Sequence, residues 1–345
     1  MRHRAIAYAL LSAALFGAST PLAKIFVGSM APLALAGLFY LGSGIGLAAW
    51  LALRRQFPRP RLSGLQFVWL AGAIVAGGMV GPALLMYGLA RTDAASASLL
   101  LNLEAVMTAA LAWVVFRENV DGRVFIGMAA IVAGGVVLSW QRAPHIGNIA
   151  GPALIASACL AWALDNNLTR RVSGGDAVAI AALKGLIAGG TNLGLALALG
   201  ARLPAPGAIA AAGLVGLVGY GVSLVLFIMA LRDLGTARTS AYFSIAPFFG
   251  AALALGLLGE RPEAAFWIAA ALMGLGVWLH LTERHEHEHV HEATTHAHEH
   301  VHDAHHRHRH GDAFDGREPH SHDHVHGPLR HRHPHYPDLH HRHRH

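Results

Sequence analysis

A few polar side chains inside long apolar runs are the residues of this sequence with the types and spacing to do chemistry. Glu104 comes about ten residues into one such run, and Thr108 follows one helical turn later on the same face. An ionisable side chain at the centre of a membrane helix costs about 2.5–3.5 kcal/mol on insertion scales, so it needs a function or a partner. We expect Glu104 to carry a proton or to balance a cationic or zwitterionic solute. The alternative is a structural carboxylate bonded to a neighbouring helix.

A second polar group, Asp-Asn-Asn at positions 165–167, interrupts another apolar run. At helical spacing Trp162, Asp165 and Thr169 fall on one face, which brings together an aromatic ring, a carboxylate and a hydroxyl. We predict a solute or coupling site from Trp162, Asp165, Asn166 and Thr169. The alternative is that Asp165 pairs with Arg170 and Arg171 at the helix end.

The first apolar run carries a matching interruption. Ser19, Thr20 and Pro21 stand where the second half of the chain has its Asp-Asn-Asn group. Paired polar interruptions in two corresponding halves indicate a binding site in transporters, so Ser19 and Thr20 join the candidate residues. Tyr242 and Ser244 are further candidates for lining a polar cavity.

Lys184 is also placed inside an apolar run, about eight residues from its start. A lysine can extend its ammonium group several ångströms along a helix to the membrane surface. The sequence therefore favours an interfacial Lys184 over a buried one.

Apolar runs of membrane-spanning length position these side chains. A helix needs about 20 apolar residues to cross a hydrocarbon core about 30 Å thick. Residues 1–283 hold only 18 Lys and Arg and 10 Asp and Glu, nearly all between the runs. The runs are too continuous for barrel strands, which alternate. We predict an all-α integral membrane protein with ten helices, near 5–27, 31–53, 65–89, 94–116, 122–141, 148–169, 177–199, 208–231, 236–258 and 263–282.

Basic residues orient the predicted helices. The segments on the N-terminal side of the membrane hold twelve arginines, and those on the other side hold four arginines and one lysine. Positive charge marks the cytoplasmic side. Both termini are therefore predicted to be cytoplasmic, in a plasma (inner) membrane.

The two halves of the chain repeat each other. A shift of 142 residues brings Ser98 onto Ser240 and Glu118 onto Glu260, and a shift of 146 brings Phe16 onto Trp162. We predict repeats at 5–141 and 148–283. Five helices per unit is an odd number, so the copies must face opposite ways across the membrane. Inverted repeats of this kind occur in secondary transporters.

Two stretches of the sequence resemble a known family. Residues 89–118 contain a run of small residues at 93–98, then Asn102-Leu103-Glu104 and Arg117-Glu118; residues 236–260 contain Ala246-Pro247 and Gly259-Glu260. These stretches are similar to the fourth helix of the EamA-type drug/metabolite transporters and its second copy. The resemblance covers about residues 5–283 and implies ten helices, a central cavity and export of metabolites. The family often has proline where this chain has Ala105, which puts a break in the fourth helix in doubt.

Enzyme motifs are missing from the sequence. It has no catalytic triad, no HExxH helix, no zinc CxxC pair and no phosphate-binding loop. We therefore expect a protein that is not an enzyme and requires no cofactor, and transport driven by an ion gradient, with protons as a possible coupling ion. The lone cysteine, Cys159, excludes an internal disulfide and is expected to be a core residue.

Residues 284–345 form a separate, histidine-rich tail, with 23 histidines in 62 residues. With almost no apolar residues, it is predicted to be disordered and cytoplasmic. Imidazole suits Zn, Ni, Co and Cu. The predicted ligands are His285, His287, His289, His291, His296, His298, His300, His302, His305, His306, His308 and His310.

The sequence leaves three functions open. The leading hypothesis is a secondary transporter that exports a small metabolite, amino-acid-like or another small organic solute, with the tail as a metal-binding regulator. The alternatives are a divalent metal exporter and a membrane-anchored metal buffer or sensor that does not transport. The expected partners are the lipid bilayer and a small solute, with no nucleic acid; a homodimer stays open.

Overall fold

The structure is a computed structural model that describes residues 2–54, 64–116, 122–140 and 149–282, and four short segments of the tail. The first 283 residues and the last 62 form two separate units. The first unit is built from thirteen helical segments: α1 Arg2–Val27, α2 Pro32–Leu53, α3 Gly64–Ala73, α4 Gly81–Leu89, α5 Ala94–Leu100, α6 Leu103–Phe116, α7 Gly122–Trp140, α8 Ala150–Arg170, α9 Ala177–Ala198, α10 Pro206–Gly216, α11 Ser223–Phe243, α12 Ala246–Leu258 and α13 Ala264–Leu281.

Eight helical stretches of the described residues are long and apolar enough to cross a membrane. They are Arg4–Val27, Pro32–Leu53, Gly64–Leu89, Ala94–Leu111, Ala177–Ala198, Pro206–Leu234, Thr239–Leu258 and Ala264–Leu281. A ninth apolar stretch, Phe125–Ser139, is shorter. Helices α7 and α8 lie where the sequence predicts the fifth and sixth spans, and the polar residues of α8 lower its hydropathy. The chain is thus a multi-pass, all-helical membrane protein over this unit.

One predicted boundary is wrong. The sequence predicts a link between the eighth and ninth helices at 232–235, whereas α11 continues through it to Phe243. That link has no proline, so every residue can donate its backbone hydrogen bond and the helix need not stop. The chain bends later, at residues 244–245.

Two helix breaks occupy equivalent places in the two halves. The fourth predicted helix breaks at residues 101–102, between α5 and α6, and the ninth breaks at 244–245. Asn102 donates through its side chain to the Leu99 carbonyl at 3.0 Å, and Ser244 donates to the Ala241 carbonyl at 2.6 Å. The shift of 142 residues maps the first bond onto the second. The fourth helix is therefore broken without the proline of its second copy.

Two π-helical segments are equivalent in the same way. Residues 74–80 connect α3 to α4, and residues 217–222 connect α10 to α11. A π turn departs from the i→i−4 pattern of the α-helix, and such segments are frequent at functional sites. The first segment presents three carbonyl groups to neighbouring helices.

The closest helix pairs join one half to the other. Helix α2 packs along α9, with Gly44 against Gly185 and Gly37 against Leu193. Because the residue numbers rise on one helix as they fall on the other, the two helices run in opposite directions. Helices α7 and α13 pack in the same antiparallel way, with Gly127 beside Gly276. The glycines at these contacts have no side chain, which permits the close approach of the backbones.

The tail differs from its predicted disorder in the segments that the structure describes. Four short strands, β1 Glu286–His291, β2 Thr294–His300, β3 His320–His326 and β4 Leu329–Pro334, form two antiparallel pairs, β1 with β4 and β2 with β3. Histidine alternates with other residues along these strands, and that period of two suits an extended chain. The apolar content is too low for a core, but pairing of backbone groups does not require one.

Candidate functional site: a polar and aromatic cleft

Two adjoining clefts lie among helices of both halves. The space in and in front of the larger cleft, open solvent included, is about 470 Å³, and that of the smaller is about 340 Å³. Four side chains line both clefts: Phe16, Glu104, Asn166 and Phe243. These residues come from α1, α6, α8 and α11, so the combined cavity is shared between the two repeats.

Glu104 stands at the junction of the two clefts. It is the second residue of α6, directly after the break, and its side chain is partly exposed to the cavity. Asn166 of α8 donates through its side-chain amide to Glu104 Oε1 at 2.8 Å. The break turns α6 at this point, and Asn166 orients the carboxylate. The bond also fits the structural alternative for Glu104, although a carboxylate that faces a cavity is available to a solute.

Asp165 forms a buried ion pair in the larger cleft. Its Oδ1 lies 2.5 Å from Lys184 Nζ, and Thr169 Oγ1 donates to the same oxygen at 2.7 Å. Lys184 also donates to Thr169 at 3.2 Å. Only 1% of the Lys184 side chain is exposed, so the predicted interfacial position of this lysine is wrong. An ammonium group with a carboxylate and a hydroxyl in reach has its charge compensated inside the protein.

The first π-helical segment accepts hydrogen bonds from side chains of three helices around the larger cleft. Tyr40 donates its hydroxyl to the Gly77 carbonyl at 2.7 Å, and Trp162 donates its indole N–H to the same oxygen at 2.9 Å. Asn192 donates to the Met79 carbonyl at 3.1 Å. A Cβ at Gly77 would overlap the Asp165 carboxylate, which explains why glycine occupies this position. The Gly77 carbonyl therefore fixes two of the rings that line the cavity, those of Tyr40 and Trp162.

Six aromatic rings line the larger cleft: Phe16, Tyr40, Trp162, Tyr220, Phe227 and Phe243. Phe16 contacts three of them, with its centroid 5.6 Å from Trp162, 5.6 Å from Tyr220 and 5.3 Å from Phe243. Such edge-on and tilted contacts are the preferred geometry of aromatic pairs. The three rings around Phe16 are thus packed edge-on or tilted and are not stacked face to face on it.

The structure separates the remaining sequence candidates into two groups. Thr108 and Ser244 line the smaller cleft. Thr169 lines neither cleft but donates a hydrogen bond to Asp165, which lines the larger one. Ser19 is buried and bonds the Phe16 carbonyl, while Thr20 is buried nearby on α1. Tyr242 packs elsewhere, against Ala5, Ala9, Ala230 and Leu234, so it does not belong with the others. Tyr242 and Phe243 are adjacent on α11 and point in different directions, and it is Phe243 that lines the clefts.

Several cleft residues escape sequence reasoning. Tyr40, Phe227 and Phe243 are ordinary aromatic residues in apolar helices, where packing is the default explanation. Lys184 could have been suspected from the sequence, because it and Asp165 are oppositely charged residues that both lie inside apolar runs. Pairing the two across helices requires the tertiary structure.

Among the described residues, no group of three or more His, Cys, Asp and Glu side chains is arranged to hold a metal ion. The tail histidines belong to a different unit of the chain. His285, His302, His305, His306, His308 and His310 lie outside the described residues. His287, His289 and His291 lie in β1, and His296, His298 and His300 lie in β2. Metal binding by the tail stays a prediction.

Comparisons with known proteins agree with this architecture. The EamA-like transporter family matches residues 3–140 and again residues 149–282, once for each half. An uncharacterized transporter from the archaeon Methanothermobacter thermautotrophicus is 27% identical over 285 residues, which cover 76% of this chain and 82% of that protein. A crystal structure of a protein superposes with a TM-score of 0.63 at 20% identity, over 82% of this chain and 98% of that one, which shows the shared fold alone. Since the family match spans most of the sequence in two copies, the chain belongs to the EamA-like transporter family and is a membrane transporter.

Proposed function

We propose that this protein is a ten-helix secondary transporter that exports a small organic solute by alternating access, with both termini in the cytoplasm of a cell whose plasma membrane it spans. The observation that carries the proposal is the cleft, which is built from both repeats and has Glu104 at the junction of its two parts. The antiparallel packing of α2 with α9 and of α7 with α13 supports an inverted relation of the repeats. Such repeats rock against each other around a shared site.

Glu104 and Asp165 are the charge-handling groups of this proposal. A carboxylate that faces a cavity at membrane depth exchanges a proton or a cation as the cavity opens to either side. Protons are therefore the proposed coupling ion. Thr108 and Ser244 offer hydroxyl groups to the solute in the smaller cleft.

The tail is proposed to bind divalent metal and to regulate the transporter rather than to deliver its cargo. The supporting observations are the composition of the tail and the described residues of the chain, which contain no group of three or more His, Cys, Asp and Glu side chains arranged to hold a metal ion. A divalent metal exporter would be expected to hold its cargo with several such ligands at membrane depth.

Flux into proteoliposomes tests the proposal. Purified protein is reconstituted with an imposed pH gradient, and uptake is measured for amino acids, amines, sugars, organic acids and the metals Zn²⁺, Ni²⁺ and Co²⁺. We expect saturable, gradient-driven flux of an organic solute, lost in Glu104→Gln and kept in Glu263→Gln, an exposed loop glutamate.

Two other outcomes would overturn it. Metal flux that persists after deletion of residues 285–345, without organic flux, identifies a metal exporter. Tight metal binding with no saturable flux of anything identifies a membrane-anchored buffer or sensor. In cells, a solute that accumulates on overexpression would show import instead of export.

A further inference from the structure

We infer that the solute of this cleft is a small organic monocation, an amine or quaternary ammonium with an apolar body, whose charged nitrogen binds at Glu104. This inference rests on the transport function proposed above and names the chemical class of its solute. Three independent features of the cleft lead to it: the balance of charges, the free side of the carboxylate, and the aromatic walls.

The charges of the cavity do not cancel. Asp165, which lines the larger cleft, is compensated by the buried Lys184 at 2.5 Å. Glu104 has no such partner, because no lysine, arginine or histidine of the described residues forms an ion pair with it. An isolated carboxylate in a medium of low dielectric constant strongly favours a positive counter-charge. The empty cleft thus has one negative charge to be neutralised, by a proton or by a cationic solute.

The Glu104 carboxylate also has an unoccupied side. Asn166 bonds to Oε1, and Oε2 accepts no hydrogen bond from the described residues. Because Glu104 lines both clefts, Oε2 is accessible from the cavity. One cationic nitrogen, with a single positive charge, compensates the charge of this carboxylate, and an amine can also donate a hydrogen bond to Oε2. A dication would leave a charge uncompensated, and an anion would meet Glu104 with the same sign.

The aromatic walls suit a cation with an apolar body. Rings attract a cation placed over their faces within about 6 Å of the ring centre. Phe16, Trp162, Tyr220 and Phe243 lie around Glu104 in the shared cavity. Trp162 is held in place by its bond to Gly77, so this wall is formed before a solute arrives.

The counterparts of the two carboxylates carry no charge. The shift of 142 maps Glu104 onto Ala246, and the shift of 146 maps Asp165 onto Ser19. Phe227 and Phe243 add apolar surface to the lining of the larger cleft. A lining with both acidic and apolar groups matches a solute with a charged end and an apolar end.

Binding to the detergent-purified protein tests the charge of the ligand separately from transport. The probes are phenethylammonium, 2-phenylethanol and phenylacetate, which share a ring and a similar size but carry charges of about +1, 0 and −1 at neutral pH. Affinity is read from the ligand-dependent rise in unfolding temperature. We expect the cation to bind at least about tenfold more tightly than the alcohol, and the anion to bind more weakly than either.

The variants locate the charge that selects the cation. Glu104→Gln should lose the preference of the cation over the alcohol while still binding the alcohol, which shows that the protein is folded. Glu263→Gln should behave as wild type. Equal or tighter binding of the alcohol or the anion by the wild-type protein would overturn the inference, whatever the variants do. An unchanged preference in folded Glu104→Gln would overturn it as well.

Flux separates a wrong solute class from a wrong function. Benzyltrimethylammonium, which is permanently charged, is offered to proteoliposomes beside the broad solute panel. We expect its saturable uptake. Saturable flux of neutral or anionic solutes, with no cation binding, would refute the solute class and leave the transport function standing. Cation binding without flux of any solute would refute the transport function and leave the cation site standing.

Discussion

Phe16 and Trp162, which are equivalent residues of the two repeats, touch each other, with ring centroids 5.6 Å apart and planes 83° apart. Two equivalent positions can meet only close to the axis that relates the halves. The contact therefore locates that axis at the cleft, beside Glu104 and Asp165. The rings differ in one respect: the indole of Trp162 donates a hydrogen bond to Gly77, for which phenylalanine has no donor. The two halves thus place an aromatic ring at equivalent positions of the site, but only the ring of the second half donates a hydrogen bond.

The buried pair of Asp165 and Lys184 gives the first prediction. Lys184→Met removes the positive partner and leaves a buried carboxylate unpaired, which costs about 3–5 kcal/mol. Lys184→Met combined with Asp165→Asn removes both charges and should recover a large part of that loss. Thermal unfolding in detergent measures both effects. The exposed Asp233→Asn is the matched control, and its effect should simply add to that of Lys184→Met. Equal destabilisation with and without Asp165→Asn would contradict a direct pairing.

Glycine at position 77 is predicted to be required by the cleft. Gly77→Ala places a methyl group where the Asp165 carboxylate lies, so Asp165 or the π-helical segment must move. Overpacking of this kind costs about 1–3 kcal/mol, and we expect flux to fall by more than about tenfold. Gly190→Ala is the control, because nothing lies within 4 Å of its added carbon. Wild-type flux in Gly77→Ala would show that the packing of Asp165 against the segment is irrelevant to transport.

The equivalent glycine of the second half gives a parallel prediction. A Cβ at Gly219 would lie 2.6 Å from Cβ of Ser19, the counterpart of Asp165. Gly219→Ala should therefore also destabilise the protein, through α1 instead of α8. If both π-helical segments serve the same movement, flux falls in Gly219→Ala as in Gly77→Ala. Normal flux and stability in Gly219→Ala would limit this role to the first half.

The break in the fourth helix should tolerate proline at Ala105. Ala105 follows Glu104 in the first turn of α6, as Pro247 follows Ala246 in α12, and proline is accepted in the first turn of a helix. The only backbone bond lost is that of the Ala105 amide to the Asn102 carbonyl, at 3.2 Å. We expect a loss of stability of about 1 kcal/mol or less. Ala109→Pro, one turn later, should cost about 3 kcal/mol or more. Similar unfolding temperatures for the two variants would show that the break is not preformed.

Removal of the tail should separate metal binding from transport. A chain that ends at Arg284 lacks all 23 tail histidines and keeps every described residue of the cleft. We expect calorimetric titration with Ni²⁺ or Zn²⁺ to show several bound ions on the full chain and none of comparable affinity on the shortened one. Flux without metal should be the same for both chains. A shortened chain that still binds metal tightly would place a metal site in the membrane unit.

Regulation by the tail is tested on the same pair of chains. The full chain should change its flux when Zn²⁺ is added, and the shortened chain should not. Identical flux of both chains with and without Zn²⁺ would show that the tail binds metal without controlling transport.

Much of the scaffold follows from sequence patterns. The apolar runs locate the helices, because backbone groups in lipid must be bonded within a segment. The shifts of 142 and 146 residues locate the repeats, and the equivalent helix breaks and π-helical segments follow the same register. The break at Asn102 could not be read from a proline rule, since an amide side chain performs the task there.

The sequence by itself determined that this chain is a helical membrane protein made of two related halves, and it singled out Glu104 and Asp165 because charge at membrane depth is costly. Only the tertiary structure decided which charges cancel. Lys184 lies 19 residues from Asp165 along the chain and on another helix, and their contact depends on how α8 and α9 pack. Burial and pairing are properties of assembled helices, whereas hydropathy belongs to each segment alone. Packing therefore identifies Glu104 as the carboxylate without a cationic partner among the described residues that line the cleft.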